Sequence, residues 1–281
     1  MYICPNCKTT LKKINNTYKC LNNHSFDIAK EGYVNLLLNQ PKAGDNKQMI
    51  KSRNQFLHKG YFDNLVIEVI KTIDDLTLDN PCILDVGCAD GYYPGIISKT
   101  YPNIIGMDIS KDAIKLAAKT YKKIDFFVAS GKDIPIKNNS INIILNIFSP
   151  HFLDEFLRIL KPNGYIIKIT PNENHLLELK QVIYDDVYLT KEKLIEDSSL
   201  KLINSNDLNY KVTLDNEDIL NLITMTPYFY KTNDADLLKL EKLNRLNITL
   251  DFKIAIYKKT FYFQNENRMF FIFELLIRLY L

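Results

Sequence analysis

The sequence predicts an α/β fold: a mostly parallel sheet, covered by helices on both faces, behind a small N-terminal module. Three observations carry that expectation. Short apolar runs alternate with stretches of helical periodicity between residues 82 and 184, the pattern of strands buried on both faces. The first of these runs leads into a turn holding two glycines, Gly87 and Gly91, placed where such sheets bind ligands. Ahead of all this, three of the five cysteines and one of the four histidines fall within the first 24 residues.

The elements follow in order. Residues 1–38 form a first unit with turn-forming pairs at Pro5-Asn6, Asn15-Asn16 and Asn22-Asn23 and a strand-like piece at 17–20. Residues 39–46 are a polar linker with chain breakers. From 47 to 76 the apolar residues, among them Met49, Ile50, Phe56, Leu57, Leu65, Val66, Val69 and Ile73, recur at helical spacing, and Gly60 divides them into two helices. The sheet domain spans 77–260. Strands are expected at 82–86, 103–108, 124–129, 141–148 and 165–169, with helices at 92–100, 111–121, 154–160 and 175–184. Ser110 is placed to cap the second of those helices. Strands at 210–214 and 248–257 would close one edge, giving seven strands. Residues 261–281 are an apolar tail, read either as a docked amphipathic helix or as an extension without a role.

Composition excludes some classes. No apolar run before the last dozen residues reaches the roughly 20 needed to span a bilayer, and the start lacks the basic and apolar regions of a signal peptide. The expected compartment is the cytoplasm, where thiols stay reduced. The net charge of +3 hides an asymmetry: residues 1–60 carry ten Lys/Arg against three acids, +7 in all, and the remainder −4. A basic front end on an acidic body points to a polyanionic partner, with Lys8, Lys12, Lys13, Lys19, Lys51 and Arg53 as phosphate contacts.

Two constellations carry chemistry. Cys4-x2-Cys7-x12-Cys20-x3-His24 offers four soft ligands from two turns, the set for one tetrahedral Zn2+. Four protein ligands leave no open position, so this zinc is structural, stabilising a 38-residue module too small to bury its own core. The second is Asp85-Val-Gly87-Cys88-Ala89-Asp90-Gly91. A nicotinamide fingerprint would need glycines at Ala89 and Tyr92. The remaining pattern, D-x-G-x-x-x-G after a strand and before a helix, is the loop of Rossmann-like methyltransferases, which bind S-adenosyl-L-methionine. Asp108 ends the next strand, where a carboxylate can hold ribose hydroxyls. A third, looser segment is Asn146-Ile-Phe148-Ser149-Pro150. Base methyltransferases commonly place a polar-x-Pro-aromatic segment there, with the polar group reading the base and the aromatic stacking on it; here the aromatic precedes the proline, and Phe148 reads equally well as a core residue.

These residues together resemble the ribosomal RNA large-subunit guanine-N1 methyltransferase family. The likeness runs from about residue 3 to 258. It takes in Cys4-Pro-Asn-Cys7, His24-Ser-Phe-Asp-Ile-Ala-Lys-Glu-Gly-Tyr-Val-Asn-Leu-Leu37, Phe56-Leu-x-x-Gly60 and the glycine loop. It continues through Gly106-Met-Asp-Ile-Ser-Lys111, Leu160-Lys-Pro-Asn-Gly164, Thr170-Pro-x3-His175 and Met225-Thr-Pro227. The resemblance implies a Rossmann-like class I methyltransferase domain behind a zinc-binding module. It also implies methyl transfer from S-adenosyl-L-methionine to N1 of a guanine in a loop of 23S ribosomal RNA. Cys4, Cys7, Cys20 and His24 match the family's zinc ligands, and Ala89, Asp90, His175 and Phe62 match its cofactor contacts. Two positions depart from the family: Ala89 stands in place of a glycine, and Phe62 in place of a tyrosine. Asp90, Asp154 and Glu155 are positional candidates for a general base, and no catalytic residue is assigned. A homodimer is a further expectation. The competing readings are a non-catalytic RNA-binding module with a degenerate loop and a methyltransferase for another substrate.

Overall fold

The computed structural model describes residues 1–39, 44–187 and 194–260. The expected tail at 261–281 lies outside them. The chain opens with a three-stranded antiparallel sheet: β1 (Lys12–Ile14), β2 (Thr17–Lys19) and β3 (Ser25–Asp27). A short strand, β4 (Val34–Asn35), follows, then two helices, α1 (Lys47–Leu57) and α2 (Asp63–Asp75). Asn46 caps α1 by accepting from the Met49 N–H, and Gly60, at φ +85°, makes the break between the helices.

The alternating region then runs β5 (Ile83–Val86), α3 (Tyr92–Ile97), β6 (Ile104–Asp108), α4 (Lys111–Thr120), β7 (Asp125–Val128), β8 (Ile141–Ile147), α5 (Leu153–Ile159), β9 (Leu160–Pro171) and α6 (Leu177–Ile183). Ser110 accepts from the Ala113 N–H and caps α4, as its sequence position indicates. Last come β10 (Leu200–Asp215), α7 (Asn216–Thr224), α8 (Asp234–Glu241) and β11 (Arg245–Lys259).

The main sheet has the order β10-β11-β9-β8-β5-β6-β7-β4. Every pair from β4 to β9 is parallel, and β11 pairs antiparallel with both β9 and β10. The order turns outward in both directions from β5, so the carboxyl ends of β5, β6 and β8 open on one crevice, the usual ligand position in such sheets. Seven of the eight strands are those expected. The eighth, β4, comes from the N-terminal region: Val34 pairs with Phe127, and the Leu36 N–H donates to the Val128 carbonyl. It covers what would otherwise be an open edge of a parallel sheet.

The core lies on both faces. On one, α1, α2 and α4 pack through Phe56, Leu65, Val69 and Ile114. On the other, α5 contributes Phe156 and Ile159, and the N-terminal unit adds Tyr2, Cys4, Leu11 and Cys20 to the same cluster. Tyr2 is the joint. Its ring meets Phe127 at 5.2 Å and Tyr18 at 5.3 Å, both edge-on. Its backbone pairs with Ile136, and the Ile3 N–H donates to the Pro135 carbonyl at 3.0 Å. Tyr2→Ala removes this shared ring, and we expect it to cost roughly 3–5 kcal/mol of stability. Denaturant unfolding checks the value, and a loss well under that range would mean that the N-terminal unit is held by its backbone pairing alone.

Candidate functional site

The first site is built from two turns. After Cys4, the Lys8 N–H donates to the Cys4 carbonyl at 2.7 Å, with Lys8 itself in the left-handed region at φ +59°. After Cys20, the Asn23 N–H donates back to the Cys20 carbonyl at 3.1 Å, with Asn23 at φ +62°. These turns aim four ligand atoms at one point. Sγ of Cys4 stands 3.5 Å from Nδ1 of His24, Sγ of Cys20 stands 3.4 Å from it, and Sγ of Cys7 stands 3.6 Å from Sγ of Cys20. All four atoms lie within 4.8 Å of one another. Ligands about 2.0–2.3 Å from a central zinc are about 3.5–3.8 Å apart in a tetrahedron, close to the three separations above, so the set suits a tetrahedral zinc. Cys82 and Cys88 are buried and stand outside this group.

The second site is a cavity of about 470 Å³ at the carboxyl ends of β5, β6 and β8. The turn after β5 alternates in and out of the left-handed region, with Gly87 at φ +83°, Ala89 at +47° and Gly91 at +81°. The N–H groups of Gly87 and Cys88 both donate to the Met107 carbonyl at 2.9 Å, which ties the loop to β6. A Cβ on Gly87 would lie 2.6 Å from that of Ser149, so glycine there lets the turn after β8 approach the loop. Gly91 faces away from the cavity, against Ala117 and Phe126.

Three carboxylates surround the loop. Asp108 lines the cavity and accepts from the Ser110 N–H at 2.8 Å and the Ala89 N–H at 3.0 Å. Asp90 also lines it. One oxygen accepts from Nδ2 of Asn54 at 2.8 Å, and the other is buried without a hydrogen-bond partner. Asp85 sits beneath the loop at 1% exposure, with Oδ2 similarly unpartnered. Burial pushes all three carboxyls upward, Asp85 to about 8 with Asp108's charge adding to the shift. Arg53 lines the same cavity and opposes the shift at Asp90 and Asp108. It pairs with Asp45 at 2.8 Å and donates to the Met225 carbonyl at 3.0 Å. Buried acids with unused acceptor atoms suit a ligand that brings positive charge and hydroxyl donors.

Of the residues expected at the cofactor, Gly87, Ala89, Asp90 and Asp108 line the cavity, while Asp85 and Gly91 shape its wall from behind. Phe62 and His175 stand one layer back and touch the cavity through Phe148, whose ring centre is 6.2 Å from Phe62 and 6.3 Å from His175. His175 is buried, its Nδ1 accepts from the Asp251 N–H at 3.3 Å, and burial holds it neutral with a pKa lowered to about 3. Asn146 is fully buried; its Nδ2 donates to Oγ of Ser149 and to the Pro150 carbonyl and so holds the turn, while its Oδ1 is buried without a hydrogen-bond partner. Among the three positional general bases, Asp154 is exposed outside the cavity and Glu155 is paired with Arg158 at 2.7 Å. Only Asp90 reaches it. Arg53 was expected only as a phosphate contact, and Asp45 and Asn54 were not singled out, because their roles depend on side chains that the fold brings to this cavity.

The basic front end also divides. Lys8 is paired with Asp133 at 2.6 Å, and Arg53 with Asp45. Lys12, Lys13, Lys19 and Lys51 are exposed with no carboxylate within pairing distance among the described residues. Lys12 and Lys19 face each other across β1 and β2, an arrangement that costs stability unless an anion lies over it.

Residues 2–44 match the family described as RlmA, N-terminal, a zinc ribbon, and residues 84–168 match the methyltransferase domain family. The chain is 31% identical over 182 residues to a 23S rRNA (guanine(748)-N(1))-methyltransferase of Streptomyces fradiae, covering 63% of this chain and 65% of that protein. It is 28% identical over 271 residues to a putative 23S rRNA (guanine-N(1)-)-methyltransferase of Bacillus subtilis, covering 91% and 96%. A putative 23S rRNA (guanine-N(1)-)-methyltransferase of Micromonospora griseorubida is 26% identical, with 83% and 88% covered. The methyltransferase domain implies S-adenosyl-L-methionine, whose sulfonium and ammonium supply the positive charge that the cavity's acids call for.

Two outcomes follow from this geometry. Chelation of zinc, or Cys7→Ser, should unfold the three-stranded sheet while leaving cofactor affinity within about threefold, because the zinc pins only its own module. Hydrogen exchange measures this, and retained protection at 12–27 in metal-free protein would contradict it. Ala89→Gly should stabilise the protein by about 0.5–1 kcal/mol, since relief of left-handed strain exceeds the entropy cost of glycine. A fall in the urea midpoint would instead mean that the Ala89 methyl packs productively.

Proposed function

We infer that this chain, a member of the ribosomal RNA large-subunit guanine-N1 methyltransferase family, transfers a methyl group from S-adenosyl-L-methionine to N1 of a guanine in a loop of 23S ribosomal RNA. The observation that carries this reading is one chain in which a zinc ribbon of that family shares a core with a methyltransferase sheet. The cofactor supplies a methyl group already activated on a sulfonium. Asp108 is placed to accept the ribose hydroxyls, and Asp90 to accept from the charged end of the methionine part. Gly87 and Ala89 let backbone and ligand meet closely, and Phe62 and His175 support the cavity wall through Phe148. Guanine N1 carries a proton near neutral pH and must lose it before or as the new bond forms, so an acceptor near the base is required. Of the three positional candidates only Asp90 lines the cavity, and it is taken up by the methionine end, so no residue is assigned as this acceptor.

The degenerate-loop alternative loses its ground at Ala89, which takes the left-handed conformation a glycine would take and still donates its N–H to Asp108. The organisation into a zinc module at 1–38, connecting helices at 39–76 and a catalytic domain at 77–260 belongs to this proposal. So does a cytoplasmic location, where the RNA is found. No helix among the described residues is long and apolar enough to cross a membrane.

N1 methylation blocks Watson–Crick pairing, so primer extension on 23S RNA should stop at one guanine in cells carrying the gene and read through in cells lacking it. Identical profiles would refute the substrate. Replacing Lys12, Lys13 and Lys19 by alanine should weaken RNA binding and flatten its dependence on log salt by roughly 0.7–0.9 for each phosphate no longer neutralised. An unchanged slope would make these lysines plain solvated surface.

A further inference from the structure

Positive charge concentrates in residues 1–60, and the remainder of the chain carries −4. The fold breaks that division. Between 111 and 123, α4 and the turn after it carry five lysines, Lys111, Lys115, Lys119, Lys122 and Lys123, against one acid, Asp112. All five are exposed, and only Lys115 has a carboxylate partner among the described residues. Lys111, Lys115 and Lys119 stand four residues apart and share one face of α4, while Ala113, Ile114, Ala117 and Ala118 bury the other. Like charges at that spacing repel and cost helix stability, so stability does not account for the row.

Two surface grooves flank this helix. One, of about 380 Å³, runs between α1 and α4, with the exposed Lys47 and Lys51 on the α1 side and Asp112 and Leu116 on the α4 side. The other, of about 500 Å³, lies where the N-terminal unit meets the sheet, and Lys13, Lys30 and Lys122 line it. Its acids are Glu31 and Asp125. Glu31 is already engaged: Lys115 stands 3.8 Å from its Oε1, and Nζ of Lys122 donates to its main-chain carbonyl at 3.4 Å. The turn 28–32 forms a wall of this groove, and neither the zinc site nor the cofactor cavity uses it. The row on α4 joins the two grooves to the cavity. Ile109 and Ala113 belong to the cavity wall, so the row begins at the cavity rim and, at 1.5 Å per residue, reaches the N-terminal unit roughly 15 Å further on.

We propose that the lysine face of α4 is a phosphate track for the substrate RNA, running from the rim of the cofactor cavity to the groove between the sheet and the zinc module. The proposal rests on the reading of the chain as a 23S RNA methyltransferase, and it adds to the module's own lysines a contact surface on the catalytic domain. Lysines there neutralise backbone phosphates and carry no sequence preference; they set where the RNA lies relative to the cavity. In the groove at its far end, Lys13 of the module and Lys122 of the sheet domain face one stretch of backbone, so the bound RNA bridges the two units.

The test uses the full-length zinc-loaded protein, 23S RNA from cells lacking the gene, and methyl-labelled S-adenosyl-L-methionine. One variant carries Lys119→Gln and Lys123→Gln. A control carries Lys201→Gln and Lys211→Gln, two exposed positions on β10, at the opposite edge of the sheet from β7 and β4. Glutamine keeps the helix propensity of lysine, so α4 stays folded. Across a salt series, the α4 variant should bind RNA about fivefold or more weaker and flatten the dependence on log salt by roughly 0.7–0.9 for each lysine lost. Its kcat/KM for RNA should fall in step, and its cofactor affinity, measured by calorimetry, should stay within about twofold. The control should keep the wild-type slope. If the α4 variant also keeps that slope, its lysines are solvated surface, and the proposal fails while the substrate reading stands. If the control flattens the slope as much, net charge and not place is responsible, and the proposal fails. If the α4 variant loses cofactor affinity in step with activity, the lysines act through the cavity, and the proposal fails again. If the wild type itself labels no RNA, the substrate reading falls, and the track falls with it.

Discussion

The structure depends on three carboxylates crowded around one loop. Asp85 and Asp90 are buried and Asp108 is half-buried, all within a turn and two strand ends of one another, and desolvation raises all three. A fold does not collect such acids for stability, since each resists ionisation, and Asp85 and Asp90 each leave an oxygen without a partner. Much of the surrounding structure manages this charge. The alternating backbone at 87, 89 and 91 turns the Ala89 N–H onto Asp108, α1 brings Asn54 onto Asp90, and Arg53 adds a cation at the rim. Arg53 is held in turn by Asp45 and the Met225 carbonyl, so α1, the segment before it and the end of α7 converge on the cavity. The arrangement makes sense as a receptor for a ligand with two positive centres and a diol.

The zinc module meets this site through packing rather than chemistry. Its four ligands form a closed set, so the metal has no coordination position to offer a substrate. What it secures is the conformation of about two dozen residues that would otherwise lack a core, and through Tyr2 their attachment to Phe127 at the end of the sheet. The exposed lysines of β1 and β2 are thereby fixed relative to the cavity.

Much of this was legible in the sequence for local reasons. Left-handed turns demand glycine or tolerate little else, so Gly87 and Gly91 announced the loop. Buried parallel strands are unbroken apolar runs, so 82–86 and 141–148 stood out. Zinc spacing needs only neighbours along the chain. What stayed hidden depended on distance. Two residues cannot show a period, so β4 was missed. The first half of β10 is a largely exposed edge strand with no buried face, and it read as nothing. Lys8 and Arg53 counted as free cations until Asp133 and Asp45 were found beside them. Phe62 and His175 were expected at the cofactor, but a residue-by-residue likeness does not reveal that Phe148 comes between.

Proton exchange on cofactor binding measures the charge constraint itself. Asp85, with a pKa of about 8 in place of the usual 3.8, is largely protonated in the folded protein at slightly acid pH. Its contribution to stability is full below the unfolded value and is lost as pH rises towards 8. A cationic ligand favours the ionised acids, so its binding must expel protons. Titration calorimetry with S-adenosyl-L-methionine, in buffers of different ionisation enthalpy at a pH where the ligand's amino group is already charged, counts them directly. Net proton release at slightly acid pH is the predicted result. Binding with no proton exchange, or with uptake, would contradict the view that the cavity is built from buried acids awaiting a positive ligand.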